Sequence, residues 1–175
     1  MENYKKNLEL LTKNHLYSKE MEHDACGVGL IASTEGKKTR AIVEYGIEAL
    51  KAVWHRGAID ADGKTGDGAG IHVEIPKDFF IEKIQVTGHD YDNSEICVGM
   101  IFLPRNDYSA QESCKTIVES ELTKNNFSIY GWRQVPVNPK VLGEKALQTM
   151  PEIIQVLFKS NDPNLLDKNL ERKIY

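Results

Sequence analysis

Apolar positions recur at helical spacing most clearly over residues 39–54. There Ile42, Tyr45, Ala49, Leu50, Val53 and Trp54 fall on one stripe and predict an amphipathic helix. Four other stretches carry strand patterns. Cys-Gly-Val-Gly-Leu-Ile-Ala at 26–32 is an apolar run of strand length, and Ile71, Val73 and Ile75 alternate with His72 and Glu74 up to Pro76. Residues 96–103 form a second apolar run, stopped by Pro104, and residues 127–137 read as a strand containing Trp132. Three further helices are predicted. A short one spans 77–84 with Phe79 and Phe80 docked inward. The next opens on a capping box of Ser109 and Glu112 and runs to Leu122, with Cys114, Ile117, Val118 and Leu122 as its buried stripe. The last covers 150–158, entered through Pro151 near its first turn. Residues 1–25 mix charges of both signs around a weak stripe at Leu8, Leu11 and Leu16 and read as a leader or surface arm. On pattern alone, alternating strands and helices suggest α/β, with helices packed over sheets.

Composition narrows the function classes. The 175 residues amount to one ordinary domain, with 22 Lys and Arg against 26 Asp and Glu for a net charge of −4. No domain-wide basic field exists, so duplex DNA or anionic membrane binding driven by phosphate neutralisation is not expected. A hydrophobic share of 41% and a charged share of 27% are those of a folded soluble domain and exclude a disordered or fibrous chain. No apolar run approaches the roughly 18 residues of a membrane span. The first residues carry no secretory pattern, so a cytoplasmic location is the expectation.

Three cysteines, Cys26, Cys97 and Cys114, are odd in number and widely spaced, which fits neither a disulfide framework nor a CxxC knuckle. Cys97, inside a strand, and Cys114, on a helix stripe, read as packing residues. Cys26 leaves two readings open. It is either an inert buried thiol or, once the leader is removed, the N-terminal residue. In the second case an α-amine of pKa about 7.7–8.0 stands within reach of its own thiol as general base. A thiolate suits attack on an amide carbonyl.

The loop at 55–70 holds five glycines, and two nucleotide readings of it fail on spacing. A phosphate loop needs glycine where Ala58 stands, and a dinucleotide fingerprint starting at Gly66 and Gly68 needs it at Ile71. A long tight turn is the expectation, with its glycines supplying positive φ. His15, His23, His55, His72 and His89 show no His-x3-His spacing. Asp60, Asp62 and Asp67 lack the twelfth-position Glu of a calcium loop. No metal site is expected, and these acids read as turn formers and caps.

Several ordered motifs then coincide with one family. Ala-Cys-Gly-Val-Gly-Leu-Ile-Ala at 25–32, Gly-Ile-Glu-Ala-Leu at 46–50, Val-Trp-His-Arg-Gly-Ala at 53–58, Asp-Ala-Asp-Gly-Lys-Thr-Gly-Asp-Gly-Ala-Gly-Ile at 60–71 and Ile-Tyr-Gly-Trp-Arg-Gln-Val-Pro-Val at 129–137 resemble the start of glutamate synthase large subunits. The resemblance covers roughly residues 20–160. It implies the class II glutamine amidotransferase domain, an α+β N-terminal-nucleophile hydrolase fold of four αββα layers, incomplete in this chain. The division it implies is a leader at 1–25 and the amino-terminal part of that domain at 26–175. Cys26 matches the cysteine unmasked by leader removal, whose thiolate attacks the side-chain amide of L-glutamine to give a glutamyl thioester and ammonia. Arg56, in His-Arg-Gly, matches an active-site residue expected to bind substrate or orient the N-terminal segment.

The resemblance further implies that the full-length subunit carries FMN and a 3Fe-4S cluster. There ammonia adds to 2-oxoglutarate, and electrons come from NADPH through a small subunit. No cofactor is expected in residues 1–175 themselves. The family's oxyanion Asn-Gly and its glutamine-gripping Arg and Asp have no matching motif here, so the 175 residues alone are expected to be inactive. The alternatives are another class II amidotransferase, which the 25-residue leader and the Asp-Gly-Lys-Thr-Gly-Asp-Gly run disfavour, or a non-catalytic assembly module.

Overall fold

The computed structural model describes residues 27–53, 59–66, 68–162 and 167–174, together with Lys6 and Lys13. The chain divides into two units, one drawing on Met1–Ala58 and Gly68–Ile71, the other on Ile59–Asp67 and His72–Tyr175. In the first unit the described regular element is helix α1, Arg40–Ala52, where the apolar stripe predicts it. Thr39 is its N-cap, and an Arg40–Glu44 ion pair of 3.1 Å spans its first turn. The predicted leader, residues 1–25, lies almost wholly outside the described residues.

The second unit is built on a three-stranded antiparallel sheet in the order β1-β3-β2. Its elements follow as α2 (Lys77–Val86), β1 (Cys97–Leu103), α3 (Tyr108–Lys124), β2 (Phe127–Gln134), a 3-10 turn at Pro139–Val141, α4 (Glu144–Thr149), β3 (Glu152–Ser160) and α5 (Asp167–Ile174). Because β1 and β2 both run antiparallel to β3, they are parallel to each other. The unit β1-α3-β2 is thus a split β-α-β motif with β3 inserted between its strands. The register places Cys97 opposite Phe158 and Leu103 opposite Glu152 on one side of β3, and Phe127 opposite Ser160 on the other. An antiparallel sheet with helices is α+β, which corrects the α/β reading from pattern alone.

Alternation along β3 divides the core between the two faces of the sheet. Leu157 points to one side and joins Phe80 and Ile84 of α2, Ile96 and Tyr130. Val156 and Phe158 point to the other and join Cys97, Phe127 and Leu170, flanked by Val118 and Leu122 of α3. Phe127 and Phe158 meet edge to face at 5.4 Å. A bulge between Ile129 and Gly131 bends β2 beside Thr87, whose hydroxyl donates to the Tyr130 carbonyl at 2.7 Å. Gly131 has φ +148, and a Cβ there would stand 2.8 Å from the Thr87 methyl, so this close approach requires glycine.

Several sequence expectations fail for identifiable reasons. Residues 150–158 are not a helix: Glu152–Ser160 is the central strand. A strand buried on both faces reads as a continuous apolar run, which periodicity does not separate from a helix, and Ile153, Ile154 and Val156 tip it towards β. The predicted strands at 26–32 and 71–75 are irregular over 27–32 and 71–75, with no strand pairing assigned among the described residues. Val28 and Leu30 stand 92% and 90% exposed. A strand exists by cross-chain hydrogen bonding, which alternation within a segment does not supply.

The helix predicted at 77–84 is present, but adjacent residues on a helix point about 100° apart, so of the two phenylalanines Phe80 alone is buried. Phe79 stacks edge-on to it at 5.0 Å beneath Lys83 and Arg133. Finally, α3 is capped by Asp107, which accepts from the Ala110 N–H at 2.9 Å, two residues ahead of the predicted Ser109. Within its stripe Ile117 is exposed, while Cys114, Val118 and Leu122 are partly buried.

Candidate functional site

Cys26 and Arg56 both lie outside the described residues, as do the rest of 54–58 and Asp67. Their described neighbours are informative. Gly27 follows Cys26, Val53 lies three residues before Arg56, and a Cβ on Gly27 would stand 3.8 Å from Cβ and Cγ2 of Val53. The backbone at Gly27 therefore passes beside the end of α1.

The acidic, glycine-rich turn after that segment is described from Ile59 to Gly66. A lone β-bridge pairs Ile59 with Gly66, and the Asp60 N–H donates to the Thr65 carbonyl at 2.8 Å. Gly63 closes the tip at φ +66, its N–H donating to the Asp60 carbonyl at 2.9 Å. Inside the loop Asp62 plays the part of a cap. Its Oδ1 accepts from the N–H groups of Lys64 at 2.9 Å and Thr65 at 2.7 Å, and its Oδ2 accepts from the Thr65 hydroxyl at 2.6 Å. The expectation that the loop acids are turn formers and caps holds for Asp60 and Asp62.

Two contacts fasten this turn to α4, some 80 residues further along. The Asp62 carboxylate lies against the start of this helix, where the Glu144 N–H contributes to lowering it. Gly143, the residue before it, lies so close that a Cβ would overlap Thr65 Oγ1 and Asp62 Oδ2. Beside it Lys145 Nζ reaches Asp60 Oδ2 at 2.5 Å. The electrostatics follow from these bonds. Asp62 is pulled down to about 2, first by the Thr65 hydroxyl and then by backbone N–H groups. The Lys145 ammonium lowers Asp60, and Asp60 in turn raises Lys145.

Sequence reasoning missed Gly143 and Lys145. The Gly-Glu-Lys-Ala-Leu run at 143–147 carries a helix-start signal, but nothing local ties it to a turn 80 residues earlier. The remaining cysteines fit their packing role. Cys97 is buried in the core with its thiol pushed up to about 11 by desolvation, and Cys114 is half-buried and unpaired.

With the turn, its flanking motifs and the α+β sheet in view, the class of protein is defined: residues 26–175 match the class-II glutamine amidotransferases, and the chain belongs to that family. Among its relatives, the chain is 52% identical over 172 residues to the glutamate synthase [NADPH] large chain of Azospirillum brasilense, covering 98% of this chain and 11% of that protein. It is 40% identical over 167 residues to the ferredoxin-dependent glutamate synthase of Pyropia yezoensis, covering 95% of this chain and 10% of that one. The yeast Saccharomyces cerevisiae glutamate synthase [NADH] is 34% identical over 173 residues, covering 93% and 8%. The chain thus spans about a tenth of the length of these relatives.

Proposed function

We propose that this chain is the glutaminase portion of a glutamate synthase and that Cys26 is its nucleophile. One observation carries the reading: the family match begins at Cys26, the residue that would become N-terminal if residues 1–25 were removed. The α-amine of Cys26 takes the thiol proton, and the thiolate attacks the side-chain carbonyl carbon of L-glutamine. Collapse of the tetrahedral intermediate breaks the C–N bond, and the amine returns the proton to the leaving nitrogen, releasing ammonia. Water then hydrolyses the glutamyl thioester to glutamate and frees the thiol. Arg56, a fixed cation, binds the substrate or orients the N-terminal segment. We read the sheet β1-β3-β2 as one layer of the family's αββα sandwich and place the protein in the cytoplasm. Among the described residues no helix is long and apolar enough to cross a membrane.

In the longer protein the ammonia would meet 2-oxoglutarate at a site that uses FMN and a 3Fe-4S cluster, with NADPH supplied through a small subunit. Among the described residues no three His, Cys, Asp or Glu side chains converge, so they do not fit iron–sulfur ligation. No step in these residues runs through either group.

The test is intact-mass measurement joined to an ammonia-release assay on the mature protein. A polypeptide beginning at Cys26, with glutamine hydrolysis abolished by Cys26→Ala, is the expected result. Retention of residues 1–25 with no hydrolysis would favour a non-catalytic assembly module.

A further inference from the structure

We infer that β1 is a dimer edge, along which the chain pairs with a second copy of itself, antiparallel and about a two-fold axis through Met100. This goes beyond the glutaminase reading, which makes no use of the edge. β1 stands at the end of the sheet, so its outer row of N–H and C=O groups meets no strand among the described residues. Folded proteins guard such edges with charges, proline or a bulge. The opposite edge strand, β2, has two of these devices, the bulge between Ile129 and Gly131 and the charge of Arg133. The seven residues of β1, Cys-Val-Gly-Met-Ile-Phe-Leu, hold none.

Self-complementarity points to the occupant. Across a two-fold interface residue i meets j and j meets i. With the axis at Met100, the middle of the strand, all seven residues find a partner, and Val98 stands opposite Phe102. Directly opposite residues of an antiparallel pair share one face of the sheet, so the helices of both copies stay on matching sides. Beyond the strand ends the same register sets Glu95 of each copy against Arg105 of the other. Glu95 already pairs with Lys77 at 2.7 Å, whereas Arg105 is exposed and has no ion pair among the described residues. Moving the axis one residue either way sets Glu95 against Leu103 or Asp107 instead, an apolar side chain or a like charge. The charges therefore select the register that pairs the whole strand. Two three-stranded sheets joined in this way make one of six strands, a common size.

The experiment joins sedimentation velocity to cross-linking on the intact polypeptide. The unaltered protein should sediment as a dimer that dissociates on dilution. Met100→Lys sets two like charges on the axis and should give a monomer. Met100→Cys should be joined to its own copy by a short bis-maleimide. Phe102→Cys, whose two copies stand about 13 Å apart along the strands, should not be. Peptide mapping separates these links from those at the native cysteines. Arg105→Glu should weaken the dimer by no more than about tenfold, and Glu95→Arg added to it should restore the association. Should Met100→Lys fail to fold, this charge exchange at two exposed positions carries the comparison. A monomeric unaltered protein, association that Met100→Lys leaves intact, or cross-linking at 102 in preference to 100 overturns the inference. Slow amide exchange along β1 in a monomer would identify another segment as the occupant of the edge and overturns it equally.

Discussion

Asp62 engages its turn with both carboxylate oxygens, and its chemistry can be followed by pH. Its ordinary value of 3.8 falls to about 2 in the folded chain. A depressed folded value means that the bonds contribute fully above 3.8 and are lost as pH falls through about 2. Carbon-13 NMR of the Asp62 carboxyl should therefore show a midpoint near 2, with the Lys64 and Thr65 amide resonances moving together with it. A midpoint at the ordinary 3.8 would show the carboxylate free of these partners. Asp92 behaves similarly. It accepts from Lys159 and, at 2.9 Å, from the Tyr130 hydroxyl, and these bonds hold it well below the usual carboxylate range. Burial pushes the Tyr130 phenol up, so this hydroxyl stays protonated and remains a donor.

Among the elements, β3 dominates the packing. Leu157 and Val156 are fully buried on opposite faces of the sheet. Truncation of Leu157 to Ala is expected to cost about 2–5 kcal/mol in chemical denaturation. Phe102→Ala on edge strand β1, where the ring is 64% exposed, should stay within about 0.5 kcal/mol. The most important strand was also the least legible. Its apolar run suits a buried helix as well as a doubly buried strand, and the pairing that decides between them comes from β1 and β2, each more than 17 residues away in sequence. By contrast α1, α2, α3, β1 and β2 were readable because their signals are local: a helical stripe, a run ended by Pro104, a strand around Trp132. Even there the cap shifted: the helix already begins at Tyr108, Asp107 caps it by accepting from the Ala110 N–H, and Ser109 falls inside its first turn.

At the scale of the whole molecule, the span of about a tenth of the relatives' length bears on activity. The resemblance expects an oxyanion Asn-Gly and a glutamine-gripping Arg and Asp that no motif of residues 1–175 supplies. Loss of a single oxyanion donor costs about 10²–10³ in rate. The 175-residue polypeptide, purified alone, should accordingly release no ammonia from glutamine in a coupled assay, even when it begins at Cys26. Cys26-dependent release by that chain would refute this.

Residue order alone determined the motifs around Cys26 and Arg56, the helical stripe of α1, the glycine turn and the exclusion of nucleotide loops. Each of these depends on spacings of a few residues, within which backbone geometry permits few arrangements. Tertiary structure decided that residues 152–160 are the central strand, that 27–32 and 71–75 lack strand pairing among the described residues, that Lys145 pairs with Asp60 and that Gly143 packs against Asp62. Those outcomes depend on which distant segments share hydrogen bonds and buried surface, a competition settled only when the whole chain packs.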